Sequence, residues 1–175
     1  MASFRNSVEH IEPGDYLIIN ADKEGNNSTY LSFRSKASAV LTAGPFCGLF
    51  ANTLITSGDR AVQFRVSYPP QFENDHFSLQ CVWMGPKGKG HSNYGKVVIK
   101  TALGKARLVG DSPPTPFTAH RIPQTQDHYY LEMVEPKKSG KNKFLYAAGN
   151  KVVAHSTMKS VWKFIKIENL QSPAA

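Results

Sequence analysis

One arrangement of residues recurs three times along the chain, and this recurrence restricts the possible folds more than any single motif does. Tyr16 and Ile18 have counterparts in Phe77 and Leu79 and again in Tyr129 and Leu131, an aromatic residue with an aliphatic one two positions later. That spacing sets both side chains on one face of a strand. A polar, glycine-bearing loop follows each pair: ADKEGNNST, then MGPKGKGHSN, then EPKKSGKNK. Such loops suit reversals of the chain, because Gly and Asn tolerate the backbone angles that tight turns need.

Each unit continues in the same order. Second strands are predicted at Tyr30–Phe33, Tyr94–Ile99 and Phe144–Tyr146, and third strands at Ala39–Leu41, Ala106–Val109 and Lys151–Ala154. Fourth strands fall at Val62–Val66, Thr118–Ile122 and Val161–Phe164, giving twelve strands in units of about 14–72, 73–126 and 127–170. Tyr16 and Phe77 are 61 residues apart while Phe77 and Tyr129 are 52 apart, so the first unit carries a surplus. It is read at residues 44–60, apolar enough for a short helix or a folded-over loop. No stretch has helical periodicity with caps at both ends, so the chain is expected to be all-β, with a core built on Tyr16, Ile18, Phe64, Phe77, Leu79, Tyr129, Leu131, Trp162 and Phe164.

Three four-stranded units with these first and last strands resemble a β-trefoil, which implies a six-stranded barrel capped by three hairpins over residues 1–175 as a single domain. The opening Gly14–Asn20 and the closing Val161–Phe164 are similar to those of small cytoplasmic fungal trefoils, among them ricin-B-like mushroom lectins and mycocypin-type protease inhibitors. That resemblance implies carbohydrate binding with a defence role, or alternatively inhibition of a protease through exposed loops. The Gln-x-Trp triplet that usually marks ricin-B sugar sites is replaced here by Gln80-Cys81-Val82-Trp83, one residue longer.

At 175 residues and 41% hydrophobic content, the chain is long enough for a continuous core. No run of eighteen apolar residues occurs, and the first fifteen residues lack the apolar centre of a secretory signal, so a cytoplasmic protein without membrane insertion is expected. Two cysteines, Cys47 and Cys81, exclude a disulfide framework and a four-cysteine zinc site, leaving free thiols or one bridge open. The net charge of +8 is one-sided: residues 1–86 hold 6 basic and 8 acidic side chains, residues 87–175 hold 15 and 5. A field of that kind attracts polyanions without reading their chemistry.

Catalytic readings find little in the sequence. Gly90–Lys96 has the spacing of a phosphate-binding loop, but Val97 stands where such a loop needs Ser or Thr, and a strand follows in place of a helix. The six histidines lack metal-ligand spacing, and burial accounts for both cysteines, Cys81 alternating within a strand and Cys47 lying in an apolar insertion, so no catalytic residue, metal or cofactor is expected. Asn26 and Asn27 head overlapping glycosylation triplets, which marks a loop tip.

Binding readings find more. Trp83, His91, Asn93 and Tyr94, around the second-unit hairpin, combine an aromatic face with hydrogen-bonding groups and are the candidate sugar site. Lys87, Lys89, Lys137, Lys138, Lys141 and Lys143, on equivalent loops, are candidate anion ligands, each a flexible point charge suited to sulfate or phosphate. The proline-stiffened Tyr68–Phe72 and Ser112–Pro116 are the loops that an inhibitor would use. The expected partner is a glycan or glycoprotein, with a protease or a polyanion as alternatives.

Overall fold

The computed structural model describes residues 8–22, 29–34, 54–57, 61–73, 75–85, 90, 92–100, 104–134 and 142–167. Thirteen strands are found among them, and the expected all-β class holds. A short β1 (Val8–Glu9) precedes three sets of four. The first set is β2 (Gly14–Asn20), β3 (Thr29–Phe33), β4 (Leu54–Ser57) and β5 (Gln63–Ser67). The second is β6 (Ser78–Cys81), β7 (Val97–Lys100), β8 (Ala106–Val109) and β9 (Phe117–Arg121). The third is β10 (His128–Met133), β11 (Lys143–Ala148), β12 (Lys151–His155) and β13 (Trp162–Lys166).

All the pairings between these strands are antiparallel, and they close on themselves. Hydrogen bonding runs β10–β11–β12–β4–β3–β2–β13 and returns to β10, a closed barrel of seven strands in place of the expected six. The difference arises because the hairpins of the first and third sets pair with each other, Lys151 opposite Ile55, and so join the ladder. A second circuit, β2–β5–β6–β9–β10–β13, is completed between β6 and β9 through one bridge. There Phe77 and Phe117 exchange backbone bonds of 2.9 and 2.8 Å. Closure leaves the strands of the ring without a free edge, which an open sheet of this length would have to protect.

Two strand assignments need correction. The third strand of the first set is Leu54–Ser57, within the surplus read as helix or loop; the expected Ala39–Leu41 lies outside the described residues. Leu54–Ser57 pairs residue for residue with Tyr30–Phe33, and its Leu54 enters the core opposite Phe33. In the second set β7 begins at Val97, and Tyr94 sits in the preceding turn, where the Gly95 N–H bonds to the Cys81 carbonyl at 2.7 Å.

Alternation carries the apolar side chains inward. Ile18, Phe64, Phe77, Leu79, Leu131 and Trp162 have no exposed surface, Tyr16 and Phe164 are nearly covered, and Tyr129 packs against the cluster from a partly buried position. Aromatic rings meet edge-on across the barrel, Tyr16 against Phe164 at 5.5 Å and Tyr129 against Phe164 at 5.6 Å, the arrangement their quadrupoles favour. Cys81 is a free, buried thiol whose pKa burial pushes up, which keeps it an inert core residue.

On the outer face of β9 and β10 lies a polar group of another kind. The Thr118 hydroxyl donates to Glu132 Oε1 at 3.1 Å, and Nε2 of His120, a residue only 3% exposed, lies 3.3 Å from the same oxygen. Lys159 Nζ stands 5.0 Å from the Tyr130 ring centre and 4.7 Å from that of Phe144. The hydrogen bond with His120 is the main reason that the Glu132 pKa lies below its ordinary value. A carboxylate depressed in this way stabilises the fold above its unfolded pKa, near 4.5, and the contribution is lost as the pH falls through the folded value. Denaturant melts from pH 6 to pH 3 are therefore expected to lose stability more steeply below pH 4.5 in the native protein than in Glu132→Gln. Equal slopes would mean that the cluster contributes nothing.

Candidate functional site

Where β5 ends and β6 begins, the chain makes two consecutive turns. The Phe72 N–H closes the first on the Pro69 carbonyl at 3.0 Å, with Pro70 at the position where its fixed φ suits a turn. The His76 N–H closes the second on the Glu73 carbonyl at 3.1 Å. Asp75 is its third residue and has φ of 67°, a conformation that favours glycine. Two residues ahead of Tyr16 the corresponding position is Gly14.

These turns and the segment before β2 enclose a cleft of about 500 Å³ lined by His10, Tyr68, Pro69, Pro70, Phe72, Glu73 and Asp75. Its floor is rigid. The Tyr68 hydroxyl donates to the Ile11 carbonyl at 2.7 Å, and its ring leans on the buried Phe77 at 6.0 Å. Burial is the main cause that pushes the Tyr68 pKa up to about 12, so the phenol stays neutral at physiological pH. The His10 ring lies on Tyr68 with centres 4.3 Å apart and planes inclined by 16°. His10 Nδ1 lies 3.8 Å from an Asp75 carboxylate oxygen, both side chains more than half exposed. One wall thus offers a stacked ring platform, and beside it stand two solvent-facing carboxylates, Glu73 and Asp75.

The residues expected to hold a sugar differ in burial. Asn93 is 1% exposed, and its backbone carbonyl accepts the Lys96 N–H at 3.1 Å. Trp83 is partly buried and turns edge-on to Phe33, ring centres 5.7 Å apart. Tyr94 is 48% exposed and stands near Arg65, which bonds through Nε to Asp15 at 2.8 Å. His91 lies outside the described residues, as do Lys87, Lys89, Lys137, Lys138 and Lys141; Lys143 opens β11 opposite Met133. Of the two proline loops, Tyr68–Phe72 forms a wall of the cleft. Residues 115 and 116 of the other are tied to neighbouring strands: the Thr115 hydroxyl accepts the Lys100 N–H at 2.8 Å, and the Pro116 carbonyl accepts the Val134 N–H at 2.9 Å.

Sequence reasoning did not find His10, Glu73 or Asp75. His10 precedes the first repeat, and nothing local links it to residues some sixty positions later; only the proline-rich Tyr68–Phe72 drew attention to this end of the barrel. Among the described residues, no three His, Cys, Asp or Glu side chains converge to hold a metal, and no helix is long and apolar enough to cross a membrane. No family model matches the chain, and no curated protein or solved structure shows significant similarity to it.

Proposed function

We propose that the chain is a non-catalytic β-trefoil that binds carbohydrate, and that the sugar lies in the cleft between His10 and Asp75. The trefoil reading is supported by the circuit through the Phe77–Phe117 bridge, which joins the first and last strands of all three sets, and by the hairpins β3–β4, β7–β8 and β11–β12 at one end of it. The observation that carries the binding reading is the stacked His10–Tyr68 pair beside two exposed carboxylates. A pyranose has an apolar C–H face and a rim of hydroxyls. Stacking on a ring while donating hydroxyls to a carboxylate satisfies both at once.

Protease inhibition is supported less well. An inhibitor gains affinity from a rigid loop that protrudes. Tyr68–Phe72 instead walls a concave site, and residues 115 and 116 are bound down along the barrel.

A glycan array probed with the native protein and with Asp75→Gly tests the reading. Glycine relieves the φ of 67° at the third position of the turn, and the exposed His10–Asp75 pair contributes little. The variant is therefore expected to be about 0.5–1 kcal/mol more stable, yet to bind at least roughly tenfold more weakly. Undiminished binding by the variant would remove Asp75 from the site. An array without a single bound glycan, together with inhibition in a protease panel, would favour the inhibitor.

A further inference from the structure

The cleft between His10 and Asp75 carries a charge opposite to that of the protein around it. The chain has a net charge of +8, yet the charged side chains that line the cleft are two carboxylates, Glu73 and Asp75, beside one imidazole, His10. With His10 protonated the lining is still negative, and with His10 neutral it is doubly so. No lysine or arginine is among the lining residues or among the groups that act on the Tyr68 phenol at the floor, where the acidic group that is felt is Asp75.

The cations of the adjoining strands are engaged elsewhere. Arg65 Nε bonds to Asp15 at 2.8 Å, Arg121 lies 3.3 Å from Glu9, and Lys166 lies 2.8 Å from Glu12. Glu73 has no such partner among the described residues, and the partner of Asp75 is the His10 imidazole, 3.8 Å away and a cation only when protonated. Both carboxylates are exposed, and one turn holds them: the His76 N–H closes it on the Glu73 carbonyl at 3.1 Å, with Asp75 as its third residue. Like charges in one turn repel, and a cation beside both relieves that repulsion.

Three properties therefore meet in one cleft: a ring platform, acceptors for hydroxyls, and negative charge that the protein does not neutralise. A neutral pyranose uses the first two. A pyranose bearing an ammonium uses all three, since hydrogen bonds from a charged donor to a carboxylate are about twice as strong as neutral ones, and a ring face also attracts a cation. Uronic acids and sulfated sugars meet repulsion at the same place.

We propose that the ligand of the cleft is an amino sugar with a free, protonated amine, a 2-amino-2-deoxyglycan whose ring lies on the His10–Tyr68 stack and whose ammonium meets Glu73 and Asp75. The inference rests on the carbohydrate reading of the cleft and narrows it to one substrate class. Such a ligand binds against the net charge of the protein. Screening over about 8 Å at physiological salt leaves the nearest charges in control.

Calorimetric titration at pH 6, where a sugar amine carries its proton, tests it with three β-1,4-linked trisaccharides that differ at C2: chitotriose with free amines, tri-N-acetylchitotriose and cellotriose. Chitotriose is expected to bind roughly three- to tenfold more tightly than the other two, the scale of two exposed ion pairs. That ratio should shrink toward one as sodium chloride is raised from about 50 to about 500 mM, and also in Glu73→Gln, a change at an exposed residue that leaves the fold intact. Trilysine, which has the charge without the pyranose, should bind more weakly than chitotriose. Equal binding of the three sugars, or tighter binding of the acetylated or the neutral one, overturns the amine preference and leaves the carbohydrate reading standing. A ratio that neither salt nor Glu73→Gln lowers overturns it as well, and trilysine as tight as chitotriose replaces the sugar with a basic peptide. If none of the three sugars binds and the array holds no glycan, the carbohydrate reading falls and the amine preference falls with it.

Discussion

Trp162→Ala is expected to destabilise the protein by about 3–5 kcal/mol, the largest effect of any single substitution considered for this chain. Trp162 has no exposed surface and occupies the seam where β13 joins both β10 and β2, opposite Tyr129 on one side and Asn20 on the other. Truncation leaves a cavity that strands held in a closed ring cannot collapse to fill. It also removes the indole N–H that donates to the buried Leu145 carbonyl at 3.1 Å, leaving that oxygen the Ser160 N–H at 3.3 Å. Trp162→Phe keeps most of the ring and loses the hydrogen bond, so it should fall between the native protein and the alanine variant. For a domain of this size the alanine change corresponds to a Tm lower by roughly 6–20 °C. A loss under about 1 kcal/mol in denaturant melts would mean that the seam does not depend on this residue.

Trp162 also illustrates what the sequence made legible. Aromatic and aliphatic residues two positions apart can be read directly because a strand has a period of two, and every residue named from that pattern is buried or packed against the core. Closure was harder to read. Whether Ala39–Leu41 or Leu54–Ser57 pairs with Tyr30–Phe33 depends on which segment can reach β3 and β12 together, a tertiary condition that local β-propensity does not contain. The seven-strand ring likewise turns on one pairing between hairpins, Lys151 with Ile55, from units far apart in sequence.

The candidate site residues divide in the same way. Trp83 and Asn93 stand out in the sequence because aromatic and amide side chains near a hairpin suit a sugar; in the fold Trp83 packs edge-on to Phe33 and Asn93 is buried. The stack of His10 on Tyr68 joins a segment outside the repeats to a turn between two of them, so neither residue signals the other.

The central claim, a carbohydrate site in the cleft, is tested most directly by calorimetric titration of a glycan selected on an array into native protein and His10→Ala. His10 is more than half exposed, so its removal should leave the melting temperature within about 1–2 °C of native. Binding should weaken by at least roughly tenfold, about 1.4 kcal/mol, because the outer ring of the platform and its hydrogen-bonding edge are lost together. A parallel Tyr94→Ala variant, altered at the second-unit hairpin, should bind as the native protein does. Unchanged affinity in a normally folded His10→Ala protein, with binding abolished in Tyr94→Ala, would contradict the account and return the site to the second-unit hairpin.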